Sequence, residues 1–260
     1  MENRMYPFMD TQKNERYIPE YIPTSAMYYD GILFEKVIEG YQTLSVEGRE
    51  LISVGIESES IQVGSIITNQ TLPSRTLTVK YKLEDNDAEK LQKKFDLLMW
   101  YLYKTKDVPI QFNDELDYTY HGRFSSANTV AGDTNRIVSS FEIYCADPRK
   151  YSKQYKSNGE IATYIPYTIV PDVVRVKLSS PTSVKVTNGS LSMSITGASI
   201  VAGDVVEFRN KEGSVYVNGV DKTNILDWAG GQLEDFYIKK GDVVKTNNGS
   251  LEVFYRVVAL

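Results

Sequence analysis

The chain has 260 residues, room for two domains of ordinary size or for one large β domain. It holds one histidine, His121, and one cysteine, Cys145, which excludes a disulfide framework and a zinc site built from several Cys or His ligands, and leaves a single His for any Ser-His-Asp or Cys-His site. The 29 Lys and Arg against 34 Asp and Glu give a net charge of −5 at pH 7, so the phosphate-neutralising surface of a nucleic-acid binder has no footprint here.

Tyrosine is over-represented, with 19 against 9 Phe and 2 Trp. Its ring packs while its hydroxyl reaches water or a partner, which suits half-buried strands and interfaces. The first thirty residues are polar, punctuated by Pro7, Pro19 and Pro23, and carry Tyr6, Tyr17, Tyr21, Tyr28 and Tyr29. This pattern fits an extended arm of about residues 1–30 whose tyrosines anchor it on another subunit, or a tail tied down on its own domain. No apolar run of signal-peptide or membrane-span length follows, so no secretory leader and no membrane insertion are expected.

Strands dominate from Gly31 onward. Short apolar runs lie at Ile32-Leu33-Phe34 and Leu51-Ile52-Ser53-Val54. In Arg75 to Leu83, residues Leu77, Val79, Tyr81 and Leu83 alternate with Thr76, Thr78, Lys80 and Lys82, the pattern of a strand buried on one face. A helix follows, with Asn86 as cap, Glu89 completing a capping box, and Ala88, Leu91, Phe95, Leu98 and Leu102 as one apolar stripe. Trp100 and Tyr101 widen that stripe, and Lys90, Lys93 and Lys94 face water. Further strands are expected at 108–112, 118–124 and 136–145, with a turn at Ala131-Gly132-Asp133-Thr134 and a stop at Asp147-Pro148.

Residues 150–165 read as a polar linker, which sets domains at 1–155 and 156–260. Beyond it Asn188-Gly189, Asn218-Gly219 and Asn248-Gly249 each sit between β-prone runs and signal hairpins, so the second domain is expected to be an all-β sandwich or barrel.

Candidate chemistry is sparse. Asp85, Asp87 and Glu89 have the early spacing of a calcium loop, but Lys90 occupies the position that needs glycine, and helix capping accounts for the carboxylates. Asp114, Glu115 and Asp117 could supply a glycosidase acid and base, or be a solvated turn. His121 has no partner nucleophile, and Cys145 lies on an apolar strand face as a buried thiol. Trp228, beside Gly230-Gly231, could stack on a sugar ring or pack in the core.

The ordered set Tyr29-Asp30-Gly31-Ile32-Leu33-Phe34, Leu77-Thr78-Val79-Lys80-Tyr81, the Leu91–Leu102 helix, Pro109-Ile110-Gln111-Phe112, Tyr120-His121-Gly122-Arg123 and Phe141 through Asp147-Pro148 to Tyr151 resembles the distal tail protein family of long-tailed phages and prophages. Ala202-Gly203-Asp204-Val205-Val206, Val217-Asn218-Gly219, Ile238 to Asp242 and Glu252 to Arg256 are similar to that family's C-terminal domain. The resemblance implies a mainly β chain with one substantial helix. Its N-terminal α+β domain would form a hexameric ring, and its C-terminal domain would be a galectin-like or carbohydrate-module-like β-sandwich. The implied role is structural and non-catalytic, without cofactor or metal. The ring would sit at the virion tail tip and join the tail tube protein to the tail-associated lysin, with a receptor-binding protein as a further partner. The other readings are a carbohydrate-binding module for cell-wall glycans, with Trp228 as the contact, and a glycoside hydrolase using Asp114 or Glu115.

Overall fold

The computed structural model describes residues 21–50, 53–129, 135–196, 200–229, 231 and 233–260. It divides into two compact units. The described residues up to Leu116 with His121–Asp147 form the first, and Asp117–Tyr120 with Pro148–Leu260 form the second. The expected turn at 131–134 and the residues Tyr6 and Tyr17 lie outside the described residues.

In the first unit, strand β1 (Met27–Tyr29) is followed by β2 (Ile32–Leu33), a one-turn helix α1 (Phe34–Val37) and β3 (Tyr41–Glu47). A hairpin of β4 (Gly55–Ser60) and β5 (Ser65–Thr71) precedes β6 (Arg75–Glu84), helix α2 (Ala88–Leu102), β7 (Val108–Phe112), β8 (Tyr118–Ala127) and β9 (Arg136–Cys145). Strand β6 is central, antiparallel to β3 and β9, and its ten residues pair in continuous register with β9 from Arg75↔Cys145 to Glu84↔Arg136. Leu77, Val79, Tyr81 and Leu83 are all fully buried, as the alternation predicts, because this face lies against the core while the lysine and threonine face does not.

That core is aromatic. Tyr29 meets Phe34 at 6.2 Å, Phe34 meets the edge of Tyr41 at 5.5 Å, Tyr41 stacks on Tyr81 at 5.7 Å, and Tyr81 meets Phe141 at 5.6 Å between ring centroids. Such separations lie in the favourable range for ring pairs. Tyr29 is 1% exposed. Its hydroxyl donates to the Leu102 carbonyl at the end of α2 (3.0 Å) and accepts the Phe124 N–H of β8 (3.1 Å). The expected arm is thereby corrected at its end. Residues 27–29 form a strand paired to β7 through Met27↔Phe112 and Tyr29↔Ile110, so Tyr29 belongs to its own unit's core rather than to an arm. Tyr28 is half-buried beside it, and Tyr21 is exposed.

Helix α2 starts one residue later than its sequence suggests. Asp87, not Asn86, is the cap, its carboxylate accepting the N–H groups of Glu89 (2.8 Å) and Lys90 (3.4 Å); a carboxylate here also meets the positive end of the helix dipole. Leu91, Leu98 and Leu102 are buried, whereas Trp100 is 69% exposed and points away from the stripe it was expected to widen. Lys94 does not face water either, being held by Asp85 at 2.6 Å.

The second unit begins at Pro148, earlier than residue 155. The segment read as a linker is strand β10 (Lys150–Ser157), antiparallel to the last strand, and Tyr151 and Ser152 also pair with Thr119 and Tyr118. Its polar sequence hides an alternation in which few side chains are buried. Strands β11 (Val173–Lys177), β12 (Val184–Asn188), β13 (Leu191–Ile195), β14 (Val205–Arg209), β15 (Ser214–Val217), β16 (Val220–Asp221), β17 (Lys245–Thr246) and β18 (Ser250–Ala259) complete it. One sheet runs β16-β15-β14-β11-β18-β10 and the other β13-β12-β17. Val174, Val176, Phe208, Val253 and Tyr255 from the first share a buried cluster with Val186, Met193 and Ile195 from the second, the packing of a β-sandwich.

Asn188-Gly189 joins β12 to β13 and Asn218-Gly219 joins β15 to β16 as the sequence predicts; at the latter both residues have positive φ, 50° and 80°, which the primed hairpin turn requires. Asn248-Gly249 is different, because the strands beside it belong to opposite sheets. Asn248 is a buried plug whose side-chain oxygen accepts the N–H groups of Ser179 and Ser180, both at 3.1 Å, while its amide donates to the carbonyls of Ser180 and Thr182. A Cβ on Gly249 would stand 1.9 Å from the Lys177 carbonyl oxygen, so only glycine passes there.

Replacing Tyr29 with Phe keeps the ring and removes the hydroxyl, with its buried bond to the Leu102 carbonyl and its part-buried bond from the Phe124 N–H. We expect a loss of about 1–3 kcal/mol, read as a lower urea midpoint of the first unit's transition.

Candidate functional site

Of the residues proposed for catalysis, Asp114 is engaged in a structural pair. It accepts hydrogen bonds from both terminal nitrogens of the Arg49 guanidinium, at 2.6 and 2.9 Å. The hydrogen bond from Arg49 holds its carboxyl below the ordinary value, whereas a glycosidase acid needs its carboxyl raised. Asp85 accepts from Lys94 and from the Asp87 N–H, and hydrogen bonding to Lys94 is the largest influence lowering its pKa. The cleft of about 540 Å³ at this end of the first unit is lined by Glu39, Glu84, Asp85, Lys94 and Arg136. Its charges are mutually satisfied through Lys94–Asp85 at 2.6 Å, Lys94–Glu39 at 3.7 Å and Arg136–Glu84 at 2.9 Å. Among the described residues no group of three or more His, Cys, Asp or Glu is placed to hold a metal ion.

His121 is exposed on β8. Cys145 is buried as its strand alternation predicts, and burial pushes its thiol up to about 12. That is the opposite of the lowered pKa that marks a nucleophilic cysteine.

The surface is more informative than the interior. All thirteen residues of β4 and β5 are exposed, and these two strands form a two-stranded sheet of their own. Register places Ile56 opposite Gln70 and Ser58 opposite Ile67, so Ile56 and Ile67 share one face, while Ile66 lies opposite Glu59 on the other. An isolated two-stranded hairpin is marginal in water, and apolar residues exposed on both faces add nothing to it until something covers them. This element is not legible in the sequence. Its run from Gly55 to Thr71 carries β-prone isoleucines but no alternation towards a core. A second exposed apolar patch, Leu97, Trp100 and Tyr103, lies along the outer side of α2.

In the second unit Trp228 is 61% exposed, so its core reading is corrected. The buried neighbour Leu226, bridged to Ile195, takes the core place instead.

The described residues thus combine ion-paired carboxylates with apolar side chains exposed on a hairpin and on a helix. The structure superimposes on the crystal structure of the SPP1 Dit protein, described as a paradigm of the hub adsorption apparatus in phages infecting Gram-positive hosts, with a TM-score of 0.78 at 21% identity, covering 92% of this chain and 100% of that one. It also matches a chain of the phage P2 baseplate in its activated conformation with calcium, with a TM-score of 0.51 at 7% identity over 86% of this chain and 92% of that one. In sequence it is 30% identical over 142 residues to the distal tail protein of Bacillus phage SPP1, a match spanning 53% of this chain and 54% of that relative, so the chain spans about half the length of its curated relative. No protein-family model matches. The sequence match and the fold likeness both fall on phage tail proteins, a distal tail protein and a hub protein.

Two outcomes follow. Cys145 should resist a thiol-specific reagent in the folded protein and react stoichiometrically in denaturant; rapid labelling of native protein would contradict its burial. Because the folded pKa of Asp114 lies below its ordinary value of 3.8, the Arg49 pair contributes stability present above that value and lost as pH falls through the folded pKa. Arg49→Met should therefore lower stability at neutral pH and flatten its fall below about pH 4 in acid titrations followed by circular dichroism.

Proposed function

We propose that this protein is the structural hub of a phage or prophage tail tip, a non-catalytic ring component of the virion. In this reading copies of the chain form a ring, hexameric by analogy with the family. The ring joins the tail tube protein above it to the tail-associated lysin and the host-recognition apparatus below. The observation that carries the reading is the fold match over 92% of this chain to a hub protein, backed by the 142-residue sequence match.

Physical features of the chain support it. The first unit exposes a hairpin and a helix patch whose isoleucines, leucine and tryptophan are suited to burial against a second copy. Tyr21 is also exposed, at 63%. The net charge of −5 gives little attraction for passing DNA, which would otherwise be held in a channel. No helix among the described residues is long and apolar enough to cross a membrane.

Ring assembly is tested by mass photometry and negative-stain microscopy of the purified full chain. The expected result is closed rings that dissociate in the Ile56→Lys, Ile67→Lys double variant, with the melting temperature of the subunit core retained. A wild-type chain that stays monomeric at high concentration and captures no tail component would overturn the reading.

A further inference from the structure

We propose that the second unit carries a shallow site for a neutral hexopyranosyl glycan, with the Trp228 indole as its stacking platform. The inference rests on features of the second unit alone and stands apart from ring formation.

Trp228 is held outward by its neighbours. Ile195 and Leu226 form a bridge, the Ile225 carbonyl accepts the Thr196 N–H at 3.0 Å, and the Asp227 N–H donates to the Ser194 carbonyl at 2.9 Å. The Asp227 carboxylate then turns the chain, accepting the Ala229 N–H at 3.2 Å through one oxygen and the Ser194 hydroxyl at 3.1 Å through the other. These bonds strap residues 225–229 to β13, so the indole sits on a rigid element and little ordering entropy is lost on binding.

Beside the indole lies a cleft of about 430 Å³, lined by Trp228, Ser190, Leu191, Ser192, Asp235 and the edge of buried Phe236, within the ~300–1,000 Å³ range of ligand clefts. This is the composition that a sugar needs. The C–H face of a pyranose is apolar and packs on an aromatic face, while its rim of hydroxyls needs acceptors and donors. The Asp235 carboxylate and the Ser190 hydroxyl are both exposed at the cleft. The ligand class is narrowed by charge. Asp235 and the adjacent exposed Glu234 disfavour polyanionic chains such as phosphodiester-linked polyols, and leave uncharged hexose or N-acetylhexosamine oligomers. A flat protein partner is a poorer fit, since the aromatic surface offered is one ring with hydroxyl and carboxylate groups around it.

The test is a titration of the full-length protein with cellotetraose, maltotetraose and chitotetraose, read by tryptophan fluorescence and by calorimetry. At least one should give saturable binding at millimolar concentrations. Trp228→Ala should weaken that binding about tenfold or more, Trp228→Phe should keep most of it, and Asp235→Ala should weaken it less than the loss of the indole. Because Trp228 is exposed, these variants should melt with wild-type midpoints, which separates lost binding from lost folding. No saturable response to any of the three sugars would overturn the site, as would binding that survives Trp228→Ala. Rings without sugar binding would sink this inference and leave the hub standing; sugar binding without rings would do the reverse.

Discussion

Much of the first unit hangs on what a buried tyrosine demands. Burying the Tyr29 ring gains apolar contact, but its hydroxyl goes with it, and an unpaired hydroxyl in the core costs more than a made bond returns. The fold meets this by aiming the group between the last carbonyl of α2 and a β8 amide. One atom therefore fixes where the helix ends relative to β1 and β8. The aromatic series from Tyr29 through Phe34, Tyr41 and Tyr81 to Phe141 then carries packing across to the central strand. The tyrosine excess, which in the sequence points equally to interfaces and half-buried strands, is partly a core device: Tyr29, Tyr81, Tyr120 and Tyr255 are among the largest fully buried side chains or close to it.

What the sequence made legible follows one rule: an element shows itself when one face is wet and the other dry. Strand β6 alternates without a break and was readable to within one residue of its end. So were β9 and the buried Cys145. Helix α2 was readable as a helix, yet its ends and its bulky residues were not. Asp87 and Asn86 are both good caps, and periodicity alone does not say whether Trp100 closes the stripe or leaves it. Strand β10 was missed because lysine, serine and glutamine fill a strand buried only in part. Asn-Gly marks a turn but not the strands it joins, so Asn248-Gly249 passed for a hairpin when it carries the chain from one sheet to the other.

The candidate sites divide along the same line. The place of the carboxylates in turns and caps was legible, whereas their partners Arg49 and Lys94 emerge only in the folded chain. The β4–β5 hairpin went unread, and Trp228 was left between an exposed and a core reading, for the opposite reason. Both stay exposed among the described residues, so no alternation towards a core records their environment. Surfaces made to meet something else leave their signature in the partner.

The strand β8 divides its residues between the two units, Tyr118–Tyr120 falling in the second and His121–Ala127 in the first. Its opening residues complete a ladder with Tyr151 and Ser152, more than thirty positions further along. The inheritance of the second unit is constrained accordingly. A genetic exchange that replaces the chain from Pro148 onward imports a strand evolved to lie beside someone else's Tyr118 and Thr119. A recombination between relatives that keeps this edge intact needs a second breakpoint ahead of Asp117, or a recipient whose four intervening residues already suit the newcomer.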